Sequence, residues 1–339
     1  MKIVRIVAKG LFGQYDIDWN LNPKANILSG INGSGKSTLL RAISSILKGE
    51  HLPDPIDMRI NKLTVWFDDG SHIMDYVAKN IEYDQQQLNE LLKKLSASNG
   101  PKDAPIKAPQ VKSVSIQMMR AIKDGKDVDE DEFVKNIDSS FISTFDMAPP
   151  MPKDPGELMD KIIKSSRSEL DRHLELVVEK YKTHQVELSN RMSKLLNDGD
   201  KDQFRHIKKV FTARTLMQDI MDRLLHNSGK TINRDKGDIE FNFKTDGKSH
   251  PYTDLSAGEK QLLLILLTVF LQENKEAILI MDEPEISLHV DWQTQLLDII
   301  YELNPNCQVI VSTHSPSMIL NGWHSSVVNI SDIVPDHAE

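Results

Sequence analysis

The stretch Asn26-Ile27-Leu28-Ser29-Gly30-Ile31-Asn32-Gly33-Ser34-Gly35-Lys36-Ser37-Thr38-Leu39-Leu40 decides the fold of this chain. Its first residues predict a strand, its glycines predict a turn, and the residues from Lys36 onward predict a helix. Glycine permits backbone conformations that a side chain forbids, so several N–H groups and the helix N-terminus can face one polyphosphate. The spacing G-x-x-x-x-G-K-[ST] therefore predicts a phosphate-binding loop.

Within this loop, the residue types indicate individual roles. We expect Lys36 to place a positive charge beside the β- and γ-phosphates, and Ser37 to offer its hydroxyl to Mg²⁺. The residues predicted to bind the nucleotide are Gly30, Asn32, Gly33, Ser34, Gly35, Lys36, Ser37 and Thr38.

The composition indicates a soluble globular protein, because 27% of the 339 residues are charged and 39% are hydrophobic. No apolar run reaches the ~18 residues of a membrane span, and Met1-Lys2-Ile3-Val4 begins a strand pattern rather than a signal peptide, so we expect a cytoplasmic protein. The single Cys307 excludes an internal disulfide and lies in an apolar run, which predicts that it is buried. A net charge of -9 argues against coating by nucleic acid but allows a local basic patch.

Two further strand patterns deliver polar side chains at their carboxyl ends. The apolar run 277–281 is typical of a parallel sheet covered on both faces, and it ends in Asp282 and Glu283. Asp282 is suited to hold Mg²⁺ or its water, and Glu283 to orient and polarise the attacking water. Strand 308–311 is followed by His314, which would hydrogen-bond the γ-phosphate or that water; a structural core histidine is the alternative.

A third pattern, Leu255-Ser256-Ala257-Gly258-Glu259-Lys260-Gln261, precedes the apolar run 262–270. A serine at a helix start and a glycine that allows close approach predict a second helix N-terminus that faces an anion.

The rest of the chain shows a strand pattern near the N-terminus and a helical pattern in the middle. Residues 2–9 and 15–21 predict two antiparallel strands, and residues 63–67 and 71–76 predict a hairpin.

Between about residues 155 and 225 the pattern is helical. Apolar or semi-apolar residues recur every three or four positions, and Asn197-Asp198-Gly199-Asp200 interrupts the period, so a helical hairpin is predicted. A first helix of about 25 residues would give an arm ~40 Å long. His184 on its seam is expected to be packed rather than to bind a metal. We divide the chain into residues 1–150 and 228–339, which form the head, and a helical insertion at 151–227.

GINGSGKS, LSAGEKQ, ILIMDEPE and STHS, in this order and with a helical insertion between the first two, resemble the ABC-type ATPase head. More narrowly, they resemble the SMC, RecF and OLD branch, which includes stand-alone ATPases of bacterial anti-phage systems. DEPEISLH followed by Trp292 and Gln293, and LSAGEK as the signature, favour this branch over transporter ATPases. The resemblance implies a P-loop α/β fold with a largely parallel core sheet, an antiparallel N-terminal β-subdomain and a short helical hairpin.

The same resemblance implies a composite site. Ser256, Gly258 and Glu259 of one subunit would close over the nucleotide of another, so that a homodimer or larger oligomer sandwiches two ATP molecules with Mg²⁺. Ser287 would belong to a loop that communicates between the two sites. The family also has a glutamine at a strand end that contacts Mg²⁺. Gln117 is one candidate, and the predicted strand Phe141 to Phe145, where Thr144 would replace the glutamine, is the other possible location.

OLD-type nucleases of this branch carry a metal-binding nuclease domain after the head, whereas about 23 residues follow Pro316 here. We therefore expect a slow, gated ATPase that acts as a switch for a separately encoded effector such as a nuclease. A DNA-repair or chromosome-handling ATPase and a transporter ATPase subunit are the other classes. DNA contact would use a basic stretch that is otherwise a solvated helix face: Lys201, Arg205, His206, Lys208, Lys209 and Arg214.

Overall fold

The computed structural model describes residues 1–12, 15–52, 60–82, 113–143, 168–198 and 201–334. The strands are β1 (Ile3–Leu11), β2 (Tyr15–Asn20), β3 (Ala25–Ser29), β4 (Lys62–Phe67), β5 (His72–Glu82), β6 (Ser113–Lys123), β7 (Lys126–Val128), β8 (Ser139–Ser143), β9 (Lys230–Ile232), β10 (Glu240–Phe243), β11 (Ser249–Pro251), β12 (Ala277–Asp282), β13 (Cys307–Ser312) and β14 (Val327–Asn329). The helices are α1 (Lys36–Leu47), α2 (Glu130–Lys135), α3 (Glu169–Asp198), α4 (Lys201–Leu225), α5 (Ala257–Leu271) and α6 (Val290–Leu303). None of these described helices is both long enough and apolar enough to cross a membrane.

The first sheet is antiparallel, with the strand order β2-β1-β4-β5-β6-β7. Ile6 on β1 pairs with Trp19 on β2 and with Val65 on β4. Alternation along β1 buries Ile6 while Arg5 and Lys9 are exposed, as expected for a sheet with one covered face. The antiparallel strands and the hairpin predicted from the sequence are confirmed.

The second sheet is parallel throughout, with the order β14-β3-β13-β12-β8. Asp282 at the end of β12 pairs with Ser312 on β13 and with Ser143 on β8. Ser312 in turn pairs with Leu28 on β3, two residues before the phosphate loop. Because parallel strands end on the same side, this register brings the loops after β3, β8, β12 and β13 to one edge.

Both faces of the parallel sheet are covered, which explains the continuous apolar run of β12. Ile278 and Ile280 join a core with α1 and the antiparallel sheet, whereas Leu279 and Met281 join a second core with α5 and α6. Cys307 is fully buried in that second core, as predicted. The α/β fold with a parallel core sheet is therefore confirmed.

The helical hairpin is also present. Its first helix, α3, has 30 residues, longer than the predicted length. The ring of His184 lies edge-on to Phe270 of α5, with 5.5 Å between centroids, and its Nε2 lies 2.7 Å from Glu273 Oε1. His184 is thus packed against the head. Lys260 Nζ on α5 also donates to Asp171 Oδ1 on α3 at 2.8 Å, so the base of the arm is bound to the helix that follows the signature residues.

Candidate active site

The phosphate loop connects β3 to α1, and its glycines adopt the positive φ angles that the sequence predicts. Gly33 has φ +78° and Gly35 has φ +96°, so any other residue at either position would be strained. A Cβ on Gly35 would lie 2.7 Å from the ring of Phe12, whereas the space around Gly33 is open. The buried Ser34 hydroxyl has no hydrogen-bond partner among the described residues. An open cradle with an unsatisfied hydroxyl fits a polyphosphate.

Lys36 begins α1, and its side chain turns back over the loop. Its Nζ donates to Gly30 O at 3.0 Å and to Ile31 O at 3.1 Å, and it lies 2.8 Å from His314 Nε2. Burial lowers the pKa of Lys36, although the nearby carboxylates of Glu283 and Asp282 oppose that shift. Lys36 Nζ is therefore held over the phosphate loop by hydrogen bonds to backbone carbonyl groups, which a phosphate can replace as acceptors.

The side chains of Asp282 and Ser37, both predicted to bind Mg²⁺, are in hydrogen-bond contact. Ser37 Oγ donates to Asp282 Oδ1 at 2.9 Å, and Ser312 Oγ donates to the same oxygen at 2.5 Å. Asp282 is 2% exposed. A hydroxyl beside a buried carboxylate is a suitable donor pair for Mg²⁺, which completes its coordination with water and phosphate oxygens. The described residues contain no cluster of three or more His, Cys, Asp or Glu that could hold a metal ion.

Glu283 follows Asp282 in a left-handed backbone conformation, with φ +49°. Its N–H donates to Ser312 O at 3.1 Å, which fixes the turn, and Oε1 lies 3.3 Å from His314 Nε2. This conformation is unusual for a residue with a side chain and is typical of functional sites. The structure thus brings together the two residues predicted to be catalytic.

A cavity of about 400 Å³ lies beside the phosphate loop, Glu283 and His314. Its described lining is Phe12, Asn32, Gly33, Gly35, Lys36, Ser37, Thr38, Glu283 and His314. Most of the predicted phosphate-loop residues and both predicted catalytic residues therefore share one cavity. The signature residues Ser256, Gly258 and Glu259 are not among its described lining residues.

The signature residues lie together at the start of α5. Ser256 is the N-cap, and it forms a reciprocal capping box with Glu259. The side chain of Glu259 is buried and also accepts from Lys230 Nζ at 2.7 Å. Gly258 packs so closely on the loop after β12 that a Cβ there would lie 2.3 Å from Ser287 O. Ser256 remains exposed.

Gln117 lies in the antiparallel sheet on β6, where its Nε2 donates to Leu52 O at 3.1 Å. The strand beside β12 is instead β8, whose last residue, Ser143, pairs with Asp282. The structure does not bring Gln117 together with Ser37 and Asp282. The alternative position, Thr144, lies outside the described residues.

Sequence reasoning missed Glu285, whose carboxylate organises the loop of His314. Its Oε1 accepts from Thr313 Oγ1 at 2.6 Å, from the His314 N–H at 2.8 Å and from the Ser315 N–H at 3.3 Å. Gln293 braces the same loop, because it accepts from Ser315 Oγ at 2.7 Å and donates to Leu288 O at 2.9 Å. The motif DEPEISLH and the following Gln293 contain the signal, but their contacts are not local in sequence.

Comparison with known proteins identifies a family for this chain. The family model described as "AAA domain, putative AbiEii toxin, Type IV TA system" matches residues 25–320. Over 84 residues the chain is 36% identical to an uncharacterised protein of Dictyostelium discoideum. This segment is 23% of this chain and 11% of that protein. Over 82 residues it is 34% identical to Septu protein PtuA of Bacillus thuringiensis. This second segment is 24% of this chain and 15% of that protein. The matched segments are thus a small part of both relatives.

Solved structures resemble the whole chain. The SMC head bound to the C-winged helix domain of ScpA superposes with a TM-score of 0.51 and 15% identity, over 97% of this chain and 94% of that one. An SMC head with an extended coiled coil, bound to the C-terminal domain of ScpA derived from Pyrococcus furiosus, gives a TM-score of 0.50 at 15% identity, over 97% and 93%. At this identity the likeness concerns the fold alone. Because the family model spans most of the chain, the chain belongs to this AAA-domain family, and its fold is similar to that of an SMC head.

Proposed function

We propose that this chain binds ATP with Mg²⁺ and hydrolyses it slowly, in a dimer that controls a separately encoded effector. The observation that carries the proposal is the convergence of Lys36, Ser37, Asp282, Glu283 and His314 at one sheet edge. Lys36 and the loop N–H groups would bind the β- and γ-phosphates, and Ser37 and Asp282 would hold Mg²⁺. When bound, Mg²⁺ neutralises phosphate charge. Glu283 is positioned to accept a proton from the attacking water, and His314 to orient it.

A neighbouring cavity of about 680 Å³ shares Phe12, Asn32 and Gly33 with the phosphate site. Its lining is largely apolar, with Tyr15 and Ile17, and also includes the polar Asn329. An apolar surface beside a phosphate-binding loop suits a nucleobase. We assign this cavity to the base of the nucleotide.

We also propose the composite site, in which Ser256, Gly258 and Glu259 of one subunit close over the nucleotide of the other. The exposed Ser256 at a helix N-terminus supports this role. Ile31 in the phosphate loop is 81% exposed, and Ile286 in the loop after β12 is 49% exposed. Large apolar residues at these positions are suited to burial in a subunit interface. Glu259 would contribute indirectly, by holding Ser256 in place through the capping box, because its carboxylate faces Lys230.

For the biological role, we propose a nucleotide-gated sensor or scaffold in anti-phage defence. The local similarity to Septu protein PtuA supports that assignment. Residues 1–150 and 228–339 would form the ATPase head, and residues 151–227 the part that engages other molecules. Direct action on DNA is the competing function, and the basic residues of α4 are the feature that favours it.

The experiment that tests this proposal is mass determination in solution with and without ATP and Mg²⁺. Glu283→Gln should bind ATP and shift to the mass of a closed dimer, because proton acceptance is lost while binding is kept. Lys36→Ala, the matched control, should bind no nucleotide and show no shift. If Glu283→Gln binds ATP but stays monomeric, the composite site is wrong. If Lys36→Ala hydrolyses ATP at the wild-type rate, the whole assignment fails.

The Glu283→Gln and Lys36→Ala variants also distinguish control of an effector protein from direct action on DNA. ATP-dependent capture of one defined soluble protein by Glu283→Gln, but not by Lys36→Ala, supports the effector model. ATP-dependent binding of duplex DNA with a steep salt dependence, without such a protein, supports direct action on DNA.

A further inference from the structure

Lys230, the first residue of β9, lies beside the helix start that carries the signature residues. Its Nζ donates to Glu259 Oε2 at 2.7 Å and lies 4.7 Å from the centroid of the Phe243 ring on β10. The side chains of Lys230 and Glu259 are 17% and 4% exposed, so this ion pair is largely shielded from solvent. Removing one member of such a pair leaves the other charge buried without its partner, which is far more damaging than the loss of a surface pair.

The oxygen that Lys230 contacts also accepts a hydrogen bond from the signature serine. Glu259 Oε2 accepts from the Ser256 backbone N–H at 2.8 Å, in addition to the Lys230 ammonium group. Burial alone would raise the pKa of Glu259, but hydrogen bonds from Lys230 and Ser256 lower it below its usual value, so the side chain is an ionised acceptor. One carboxylate oxygen therefore joins Lys230 to the backbone of Ser256.

The hydroxyl of Ser256 is held more loosely than its backbone. Ser256 Oγ accepts from the Glu259 N–H at 3.4 Å, which is long for a hydrogen bond, and the residue is exposed at the N-terminus of α5. An exposed hydroxyl at a helix start, where the first N–H groups lack acceptors within the helix, suits an anionic oxygen. The place of this hydroxyl thus depends on the contact between the Ser256 N–H and Glu259.

Lys230 is itself fixed by the elements around it. It pairs with Phe243 in the three-stranded sheet β11-β10-β9. Two residues further on, the Ile232 N–H donates to Asp222 Oδ1 of α4 at 2.6 Å. These contacts hold the backbone of β9 between a neighbouring strand and a helix, so the ammonium group of Lys230 gives the start of α5 a fixed point of attachment.

We infer that Lys230 is a positioning residue for the composite site: through Glu259 it fixes the backbone of Ser256, so that the serine hydroxyl meets the nucleotide held by the other subunit. This inference rests on the proposed function, because the composite site supplies that nucleotide. Without Lys230, the shielded carboxylate of Glu259 loses its charge partner and turns toward solvent, which breaks its contact with the Ser256 N–H. The phosphate loop of the same subunit keeps its geometry.

The test compares Lys230→Met with Lys230, both in the Glu283→Gln background. Methionine keeps a flexible unbranched side chain against Phe243 but removes the charge. We expect the dissociation constant of the ATP-dependent dimer, measured by sedimentation over a range of protein concentrations with ATP and Mg²⁺, to rise about tenfold or more. The affinity of the single subunit for a fluorescent ATP analogue should stay within about twofold, because the phosphate loop is a separate site.

Two control variants separate positioning from a general loss of stability. Lys230→Arg donates to the same carboxylate and stacks on Phe243, so it should restore the dimer. Lys260→Met removes the neighbouring ion pair with Asp171, which is shielded to a similar extent, and should leave the dimer within about twofold of its background. If Lys230→Met does not fold, Lys230→Gln, which keeps a donor without the charge, replaces it with the same expected direction.

The possible results have separate meanings. If Glu283→Gln alone forms no ATP-dependent dimer, the composite site is wrong and the inference fails with it. If Glu283→Gln dimerises and the added Lys230→Met change leaves its dissociation constant unaltered, Lys230 has no positioning role, whereas the proposed function stands. Equal weakening by Lys230→Met and Lys260→Met, or no recovery in Lys230→Arg, would mean that the pair contributes only to general stability, and would overturn the inference.

Discussion

Lys36 Nζ lies 2.8 Å from His314 Nε2, across a sequence separation of 278 residues. The two nitrogens are within hydrogen-bonding distance, and an ammonium group at Lys36 would donate to the lone pair of Nε2. The same nitrogen lies 3.3 Å from Glu283 Oε1. In the proposed ATP complex, a phosphate would replace His314 as a partner of Lys36, and the histidine would then interact with the γ-phosphate or the attacking water.

His314→Ala should therefore lower kcat while nucleotide affinity is kept. We expect a loss of about 100-fold in kcat, the usual contribution of one positioned proton-transfer or orienting group. Phosphate release at saturating ATP and equilibrium binding of a fluorescent ATP analogue measure the two quantities. His324→Ala, at an exposed histidine, is the control. An unchanged kcat in His314→Ala would show that His314 has no part in turnover.

Glu285→Ala should damage both stability and turnover, because three donors lose their common acceptor. Two of them, the hydroxyl of Thr313 and the backbone N–H of His314, are held by short hydrogen bonds to the carboxylate. We expect the free energy of unfolding to fall by about 2–4 kcal/mol, with kcat reduced about tenfold through misplacement of His314. Urea unfolding and phosphate release measure these effects. Glu285→Gln keeps an acceptor oxygen and should recover most of both; equal damage in the two variants would argue against this role.

Local patterns predicted most of the site. The strand, turn and helix around Lys36 depend on neighbouring residues, and the carboxyl ends of parallel strands bring Asp282 and His314 together without further information. The pairs Glu285–Thr313 and Lys230–Glu259 join residues 28 and 29 positions apart on different elements, and no periodicity encodes such contacts. The family resemblance implies that Glu259 closes over the nucleotide of another subunit, and within this chain its side chain accepts a hydrogen bond from Lys230.

Gly258→Ala tests the close contact between the signature helix and the loop after β12. The added methyl group would lie 2.3 Å from Ser287 O, so the start of α5 has to move. We expect a loss of stability of about 1–3 kcal/mol and a weaker ATP-dependent mass shift in the Glu283→Gln background. Gly237→Ala is the matched control, since nothing lies within 4 Å of its Cβ position. If both variants unfold and assemble alike, the contact has no role in presenting Ser256.

Glu273 should make stability depend on pH. Burial alone would raise its pKa, but hydrogen bonds from Lys275 and His184 lower it from 4.5 to about 2. Between these values the unfolded chain binds a proton that the native chain does not, so the stabilisation is complete above about pH 4.5 and is lost as the pH falls toward 2. Glu273→Gln should therefore be less stable than wild type near neutral pH, with a difference that shrinks in acid.

Urea unfolding of wild type and Glu273→Gln from about pH 7 to about pH 3 measures this difference. Glu302→Gln is the control, because its carboxylate is exposed at the end of α6 and pairs with exposed Arg223 at 2.7 Å. An exposed pair of this kind contributes at most about 1 kcal/mol. A Glu273→Gln deficit that stays constant across this pH range would mean that the side chain stabilises the junction by packing rather than by its charge, and that the arm is not bound to α5 through the Glu273–His184 pair.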